Sequence, residues 1–157
     1  MLEGLETIVY GYSRWYIQQR YEEGVFMNSV RFVPTWLHGY FDYIGGIGLI
    51  AAPFVFGFYG VGGVAVILPM VLGIGLILYS LLTDYERGIP ALKFIPMPVH
   101  LILDFLASAL LAASPFLFGF WTQAPNVWLP HLIAGVGVIL LVLVSQTRPE
   151  VKARALA

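Results

Sequence analysis

Two histidine and aspartate pairs are the residues of this sequence best suited to chemistry. His38 precedes Asp42 by four positions, and His100 precedes Asp104 by the same interval. On a helix, residues four positions apart lie on one face, so each imidazole can hydrogen-bond to its carboxylate. Such pairs can neutralise each other, exchange protons near neutral pH, or bind a metal ion through nitrogen and oxygen ligands.

The composition of the chain indicates that these pairs lie in a membrane. Of 157 residues, 59% are hydrophobic and only 11% are charged, which is far from the average of soluble domains. Four apolar blocks, at roughly 37–58, 62–83, 98–120 and 128–146, are each long enough to cross a bilayer. We therefore predict an all-α integral membrane protein with four transmembrane helices.

Other classes of protein are excluded by simple counts. The chain contains no cysteine, so it cannot hold a disulfide framework or a thiolate metal site. Its formal net charge is −1, which provides no basic surface for nucleic acid.

The basic residues indicate the topology. They lie before the first block, between the second and third, and after the fourth, and the other two loops carry none: Arg14, Arg20, Arg31, Arg87, Lys93, Arg148, Lys152 and Arg154. The positive-inside rule then places both termini and the central connector in the cytoplasm.

The N-terminal arm, residues 1–35, has a separate character. Apolar residues recur at helical spacing from Leu5 to Tyr16, which predicts an amphipathic helix at the membrane interface. A solvated helix docked on a partner or on the ends of the spans is the alternative. The acidic start, without an apolar run before Arg14, predicts that no signal peptide is removed.

The chain repeats itself at an offset of 62 residues. The matched pairs are His38 and His100, Asp42 and Asp104, Pro53 and Pro115, Phe54 and Phe116, Phe56 and Phe118, Gly57 and Gly119, Phe58 and Phe120, Gly73 and Gly135, and Gly75 and Gly137. This predicts two parallel helical hairpins, 36–85 and 98–147, joined by a cytoplasmic connector, 86–97, and followed by a tail, 148–157. Pro130 should lie in the first turn of the fourth helix, whereas Pro69 either begins or kinks the second.

Each repeat contains a segment of the form Pro-Phe-x-Phe-Gly-Phe. Its residues are Pro53, Phe54 and Gly57 in the first repeat, and Pro115, Phe116 and Gly119, preceded by Ser114, in the second. Because proline bends a helix and glycine ends it, we expect structural corners at the outer interface. A phenylalanine-rich groove for a lipid tail, quinone or pigment is the alternative.

These segments resemble the SPW (Ser-Pro-Trp) repeat family of bacterial and archaeal membrane proteins. Ser114-Pro115-Phe116 departs from the name-giving motif at tryptophan, and Ala52-Pro53-Phe54 departs at serine as well. The resemblance implies a multi-pass membrane module in a prokaryotic plasma (inner) membrane, without an established biochemical activity.

The small residues that follow each pair predict how the repeats meet. Gly45 and Ala52 continue the face of His38, and Ala107 and Ser114 continue the face of His100. Because small residues allow close helix approach, we expect the first and third helices to pack through this seam and to bring both pairs together. Tyr85, just after the second span, should belong to a solvated cap.

Several functions remain open for the pairs. A structural lock between the repeats is the favoured interpretation, and a proton or ion pathway is the alternative, although no further acid or base continues it through the membrane. Haem between His38 and His100, or a metal held by both pairs, is less favoured, so no cofactor or metal ligand is predicted. We expect a non-enzymatic structural or accessory subunit in contact with lipids and a membrane-protein partner or a second copy of itself, rather than a small transporter or channel.

Overall fold

The computed structural model describes residues 30–85 and 93–148. The chain divides into two units, Met1–Phe32 and Val33–Ala157, and all the helices given below belong to the second. The predicted interfacial helix within residues 1–35, most of the connector and most of the tail lie outside the described residues.

The described residues of the second unit form four α-helices. They are α1 (Thr35–Val55), α2 (Gly63–Leu81), α3 (Met97–Leu117) and α4 (Pro125–Val144). Helix α1 packs along α2 and helix α3 packs along α4. Helices α2, α3 and α4 are long and apolar enough to cross a membrane, so the all-helical membrane fold expected from the sequence is present.

Glycines bring the two helices of each hairpin into close contact. A Cβ added to Gly46 would lie 2.9 Å from the carbonyl oxygen of Gly73, and one added to Gly135 would lie 2.6 Å from that of Ser108. The closest approaches therefore occur between α1 and α2 and between α3 and α4. The predicted seam between α1 and α3 is wrong, because Gly45 and Ala52 instead line a cavity.

The corner after α1 is a glycine-terminated helix end. Gly57 has φ of 71°. Its amide donates to the Phe54 carbonyl at 3.2 Å, and the Phe58 amide donates to the Pro53 carbonyl at 2.9 Å. These two bonds form a Schellman motif, which satisfies carbonyls that the helix leaves unpaired. Gly119, with φ of 75°, occupies the equivalent position after α3.

The prolines lie deeper in their helices than the sequence suggested. Helix α4 begins at Pro125, so the expectation that Pro130 lies in its first turn is wrong. Pro69 lies inside α2, so it does not begin the second helix, which was one of the two positions that the sequence allowed. Each interior proline removes one helical hydrogen bond, and the carbonyl it frees needs another donor.

The ends of both hairpins meet at one end of the bundle. Two isolated parallel bridges join Val33 to Ser145 and Thr83 to Ile95. The first residues of α1 and α3 therefore lie beside the last residues of α4 and α2. This arrangement brings the four polar residues of the two pairs together at that end.

A buried histidine and aspartate cluster and the adjoining cavity

The two histidine and aspartate pairs lie together at the meeting point of the hairpin ends. His38 and His100 are each the fourth residue of their helix, and the imidazoles are fully buried. Asp42 and Asp104, one turn further along, are 3% and 1% exposed. We call these four residues the cluster.

Each histidine of the cluster contacts both aspartates. His38 Nε2 lies 2.9 Å from an Asp104 carboxylate oxygen and 3.4 Å from one of Asp42. His100 Nε2 lies 3.1 Å from Asp42 and 3.0 Å from Asp104. The shortest contact of His38 therefore crosses from one hairpin to the other, and the cluster ties the hairpins together.

Hydroxyl groups hold the opposite sides of the imidazoles. Ser145 Oγ lies 2.7 Å from His38 Nδ1, and Thr83 Oγ1 lies 2.9 Å from His100 Nδ1. Ser145 follows α4 and Thr83 follows α2, so each histidine is held by a residue of the other hairpin. Neither hydroxyl could be predicted from the sequence, because only the bridges at the bundle end bring them near the imidazoles.

Two tyrosines complete the surroundings of the carboxylates. The Tyr79 hydroxyl donates to Asp104, and the Tyr85 hydroxyl donates to Asp42 at 2.5 Å. Burial and the neighbouring Asp42 carboxylate raise the pKa of Tyr85 above its usual value, so its hydroxyl keeps its proton. The expectation of a solvated Tyr85 is wrong, since it is 4% exposed and packs against Gly39.

A lysine lies beside the segment that carries Tyr85. Lys93 pairs with Asp84 at 3.2 Å and donates to the Tyr85 carbonyl at 2.7 Å. This contact fixes the segment that carries Tyr85 over the cluster.

The geometry bears on which ligands the cluster can hold. The imidazole centroids of His38 and His100 are 5.5 Å apart with planes at 80°, and both Nε2 atoms face carboxylates. A porphyrin therefore has no space between them. One nitrogen or oxygen atom from each of the four residues lies within 4.8 Å of the others, which is compact enough for a single small ion.

An apolar cavity of about 730 Å³ extends from the cluster toward the opposite end of the bundle. Asp42 lines one part of it and His131 another, and the remaining lining is almost entirely apolar, including Gly48, Leu49 and Gly137. It lies between α1 and α4. Two of its lining residues are joined by a hydrogen bond, since Asn126 donates to the Phe56 carbonyl at 2.9 Å.

The predicted corner residues separate into buried and exposed groups. Phe58 and Phe120, the last residues of the two segments, are 1% and 8% exposed and pack against His131. Phe54 and Phe116, at the position of the motif tryptophan, are 55% and 60% exposed. The buried phenylalanines stabilise the turns, and the exposed ones face the surroundings of the bundle.

Two side chains compensate for the carbonyls that prolines leave free. Pro69 cannot donate to Ala65, and His131 Nε2 lies 3.0 Å from the Ala65 carbonyl oxygen. Pro115 cannot donate to Leu111, and the Ser114 hydroxyl donates to the Leu111 carbonyl at 2.7 Å. The serine of the Ser-Pro pair thus satisfies the acceptor that its own proline creates.

The helices and the cluster define a membrane protein built as a helical bundle around a buried polar group. The chain belongs to the SPW repeat family, whose SPW repeat domain matches residues 35–145. That range contains all four helices, and it confirms the resemblance drawn from the sequence. No curated protein and no solved structure matches the chain.

Proposed function

We propose that this protein is a non-enzymatic structural or accessory subunit of a prokaryotic plasma membrane. In this proposal α1 crosses the membrane with the other three helices, the two hairpins are an internal duplication, and both termini are cytoplasmic. The arm within residues 1–35 lies at the interface as an amphipathic helix. The distribution of basic residues supports the orientation.

The duplication is supported by the way the histidines are held. His38 bonds to Ser145, and His100 bonds to Thr83. His100 lies 62 residues after His38, and Ser145 lies 62 residues after Thr83, so the two contacts are equivalent under the offset of the repeat. The bridges Val33 to Ser145 and Ile95 to Thr83 obey the same relation. A pseudo-two-fold arrangement of two equivalent hairpins explains both observations.

A structural role for the cluster is supported by the polar side chains that surround each carboxylate. A carboxylate at the centre of a membrane helix costs about 2.5–3.5 kcal/mol on insertion scales, so each requires compensation. Both tyrosine hydroxyls donate to the carboxylates inside the bundle, and an imidazole Nε2 lies within 3.1 Å of each carboxylate, so a positive charge held between ring and carboxylate completes the compensation. The cluster therefore acts as a lock between the hairpins.

The observation that carries the accessory role is a surface of small residues that the described helices leave uncovered. Gly48 and Gly137 line the cavity between α1 and α4, and a Cβ at either would meet nothing within 4 Å. Small residues in membrane helices allow a second helix to approach closely. We infer that an apolar transmembrane helix of a partner subunit covers this side.

Photo-crosslinking in the native membrane tests this role. A photoreactive residue at Ile133, which lines the cavity and is 63% exposed, should give one discrete protein adduct. The matched control is Ile67 on α2, which is 60% exposed and lies outside the cavity lining. Equal protein adducts at both positions, or lipid adducts alone at Ile133, would contradict the proposal.

A transporter or channel is the second candidate, because the cavity extends from Asp42 to His131. Its lining between these two residues is apolar, which favours neither protons nor ions. Proton flux in liposomes distinguishes the candidates: we expect no flux above that of empty liposomes. Flux that disappears in Asp42→Asn without a loss of thermal stability would favour transport.

A further inference from the structure

We propose that the cluster binds one divalent transition-metal ion of the zinc class through His38, Asp42, His100 and Asp104. This inference rests on the lock described above and specifies how the lock is closed. It departs from the expectation, drawn from the sequence, that the chain has no metal ligands. The reason for the departure is the hydrogen-bonding of the imidazoles.

The far side of each imidazole fixes its tautomer. The Ser145 hydroxyl donates its only hydrogen to the Leu141 carbonyl at 2.6 Å, so it can only accept from His38 Nδ1. The Thr83 hydroxyl donates to the Tyr79 carbonyl at 2.8 Å, so it likewise accepts from His100 Nδ1. Both histidines therefore carry hydrogen on Nδ1, and a neutral ring presents the lone pair of Nε2 to the carboxylates.

A lone pair facing a carboxylate oxygen at about 3 Å is repulsive unless a positive charge lies between them. With neutral imidazoles and ionised carboxylates, the cluster carries a charge of −2. Two protons or one divalent cation would neutralise it. Since the four side chains are almost fully buried, one of these two states is required.

The separations of the ligand atoms fit one small ion. The four histidine to aspartate contacts measure 2.9, 3.1, 3.0 and 3.4 Å. Four ligand atoms in tetrahedral geometry at about 2.0–2.2 Å from zinc are about 3.3–3.6 Å apart. Binding therefore requires the histidine to aspartate contacts to lengthen by a few tenths of an ångström, and the more distant pairs of ligand atoms, which lie within 4.8 Å of one another, to come closer.

The surroundings of the cluster resemble those of metal sites in general. Histidine ligands commonly donate their other nitrogen to an oxygen acceptor, which fixes the orientation of the ring. Ser145 and Thr83 provide these acceptors, and the hydroxyls of Tyr79 and Tyr85 hold the carboxylates. Two imidazoles with two carboxylates suit zinc, iron or manganese, whereas magnesium prefers oxygen ligands and several waters.

Metal binding by the full chain tests the proposal. The protein is purified in detergent through a tag without histidine, treated with EDTA, and titrated with Zn²⁺ or Co²⁺. We expect one Zn²⁺ per chain, a rise in melting temperature, and with Co²⁺ the intense visible absorption of a tetrahedral site. His38→Gln and Asp104→Asn should each lower the affinity for Zn²⁺ by more than about 100-fold, because even the outer partners of metal ligands contribute about 10–100-fold.

The matched control is His131→Gln, which alters a buried histidine outside the cluster. It should keep one Zn²⁺ per chain and the Co²⁺ spectrum, even if its melting temperature falls. Ser145→Ala should retain the tetrahedral spectrum with an affinity lower by about 10–100-fold.

The inference is overturned if wild-type protein takes up less than one Zn²⁺ per chain, or if His38→Gln and His131→Gln bind it equally. If Asp104→Asn destabilises the bundle while Zn²⁺ neither binds nor stabilises the wild type, the metal site fails and the lock stands. If Zn²⁺ binds but neither the ion nor the aspartates affect stability, the structural role proposed for the cluster fails instead.

Discussion

At the scale of single residues, the molecule gives every buried polar group of the cluster more than one partner. Asp42 receives the Tyr85 hydroxyl and contacts both imidazoles, and Asp104 receives the Tyr79 hydroxyl in the same way. In a medium without water, a buried charge that loses its partner is strongly destabilising. The lock therefore depends on each member being present.

Removing one carboxylate charge tests this dependence. Asp104→Asn should lower the free energy of unfolding by about 3 kcal/mol, because it leaves two imidazoles with one carboxylate. Thermal unfolding in detergent, followed by circular dichroism, measures the change. The control is Asp84→Asn, which removes a pair with Lys93 nearer the surface and should cost less than about 1 kcal/mol. Equal effects of the two changes would show that the cluster is no lock.

The role of the serine in the Ser-Pro pair can also be tested. Removing this hydroxyl from the second hairpin should lower stability, and adding one to the first hairpin should raise it. Ser114→Ala leaves the Leu111 carbonyl without its donor, so it should destabilise by about 1 kcal/mol. Ala52→Ser places a hydroxyl at the equivalent position beside Pro53, where it can donate to the carbonyl of Leu49 that this proline frees, and should stabilise by a similar amount. The melting temperatures of the two variants check this, and a shift in the same direction for both would refute the explanation.

At the scale of helices, glycine has two different roles. One set allows the two helices within each hairpin to touch, and it consists of Gly46 and Gly73 in the first hairpin and Gly135 in the second. The other set, Gly48 and Gly137, faces the cavity. Sequence spacing alone assigns both sets to helix contacts. Only the packing distinguishes glycines that are covered from those that are open.

Alanine substitutions should separate these two sets. Gly135→Ala places a methyl group 2.6 Å from the Ser108 carbonyl oxygen and the Ala112 amide, so overpacking should cost about 1–3 kcal/mol. Gly137→Ala meets nothing, and the better helix propensity of alanine should stabilise the bundle by up to about 1 kcal/mol. Melting temperatures of the isolated protein give the comparison. A Gly137→Ala variant as unstable as Gly135→Ala would mean that α4 packs differently.

The same packing explains how much of the site the sequence could predict. The spacing of His38 and Asp42, and its repetition at His100 and Asp104, identified the four members of the cluster, because a helical turn fixes which residues share a face. The partners Thr83, Tyr85 and Ser145 lie beyond the helices, where side-chain positions depend on backbone bridges between hairpins. The prediction that α1 and α3 pack through a seam of small residues was wrong, because Gly45 and Ala52 line the cavity instead.

At the scale of the whole molecule, the four helix ends that carry the cluster lie at one end of the bundle. Phe94 and Arg148 belong to that end, and Thr122 lies in the short turn between α3 and α4. The proposed orientation puts the first two in the cytoplasm. The absence of cysteine from the chain makes this simple to measure.

Single cysteines should report the orientation. Phe94→Cys and Arg148→Cys should react with a membrane-impermeant maleimide only from the cytoplasmic side, as in inside-out vesicles. Thr122→Cys should react only from the opposite side, in right-side-out vesicles. The cysteine-free wild type is the blank. Labelling of Phe94→Cys and Thr122→Cys from one side would rule out the topology.

The exchange of hydroxyl partners between hairpins has a consequence for biosynthesis. The ribosome delivers α1 and α2 to the membrane before α3 and α4 exist, and at that stage His38 lacks Ser145 and Asp42 lacks His100. The early half must therefore shelter its ionisable groups beside the insertion machinery or in the headgroup region until translation supplies the late half. Completion of the chain, rather than insertion of each span, is the event that commits this protein to its final depth.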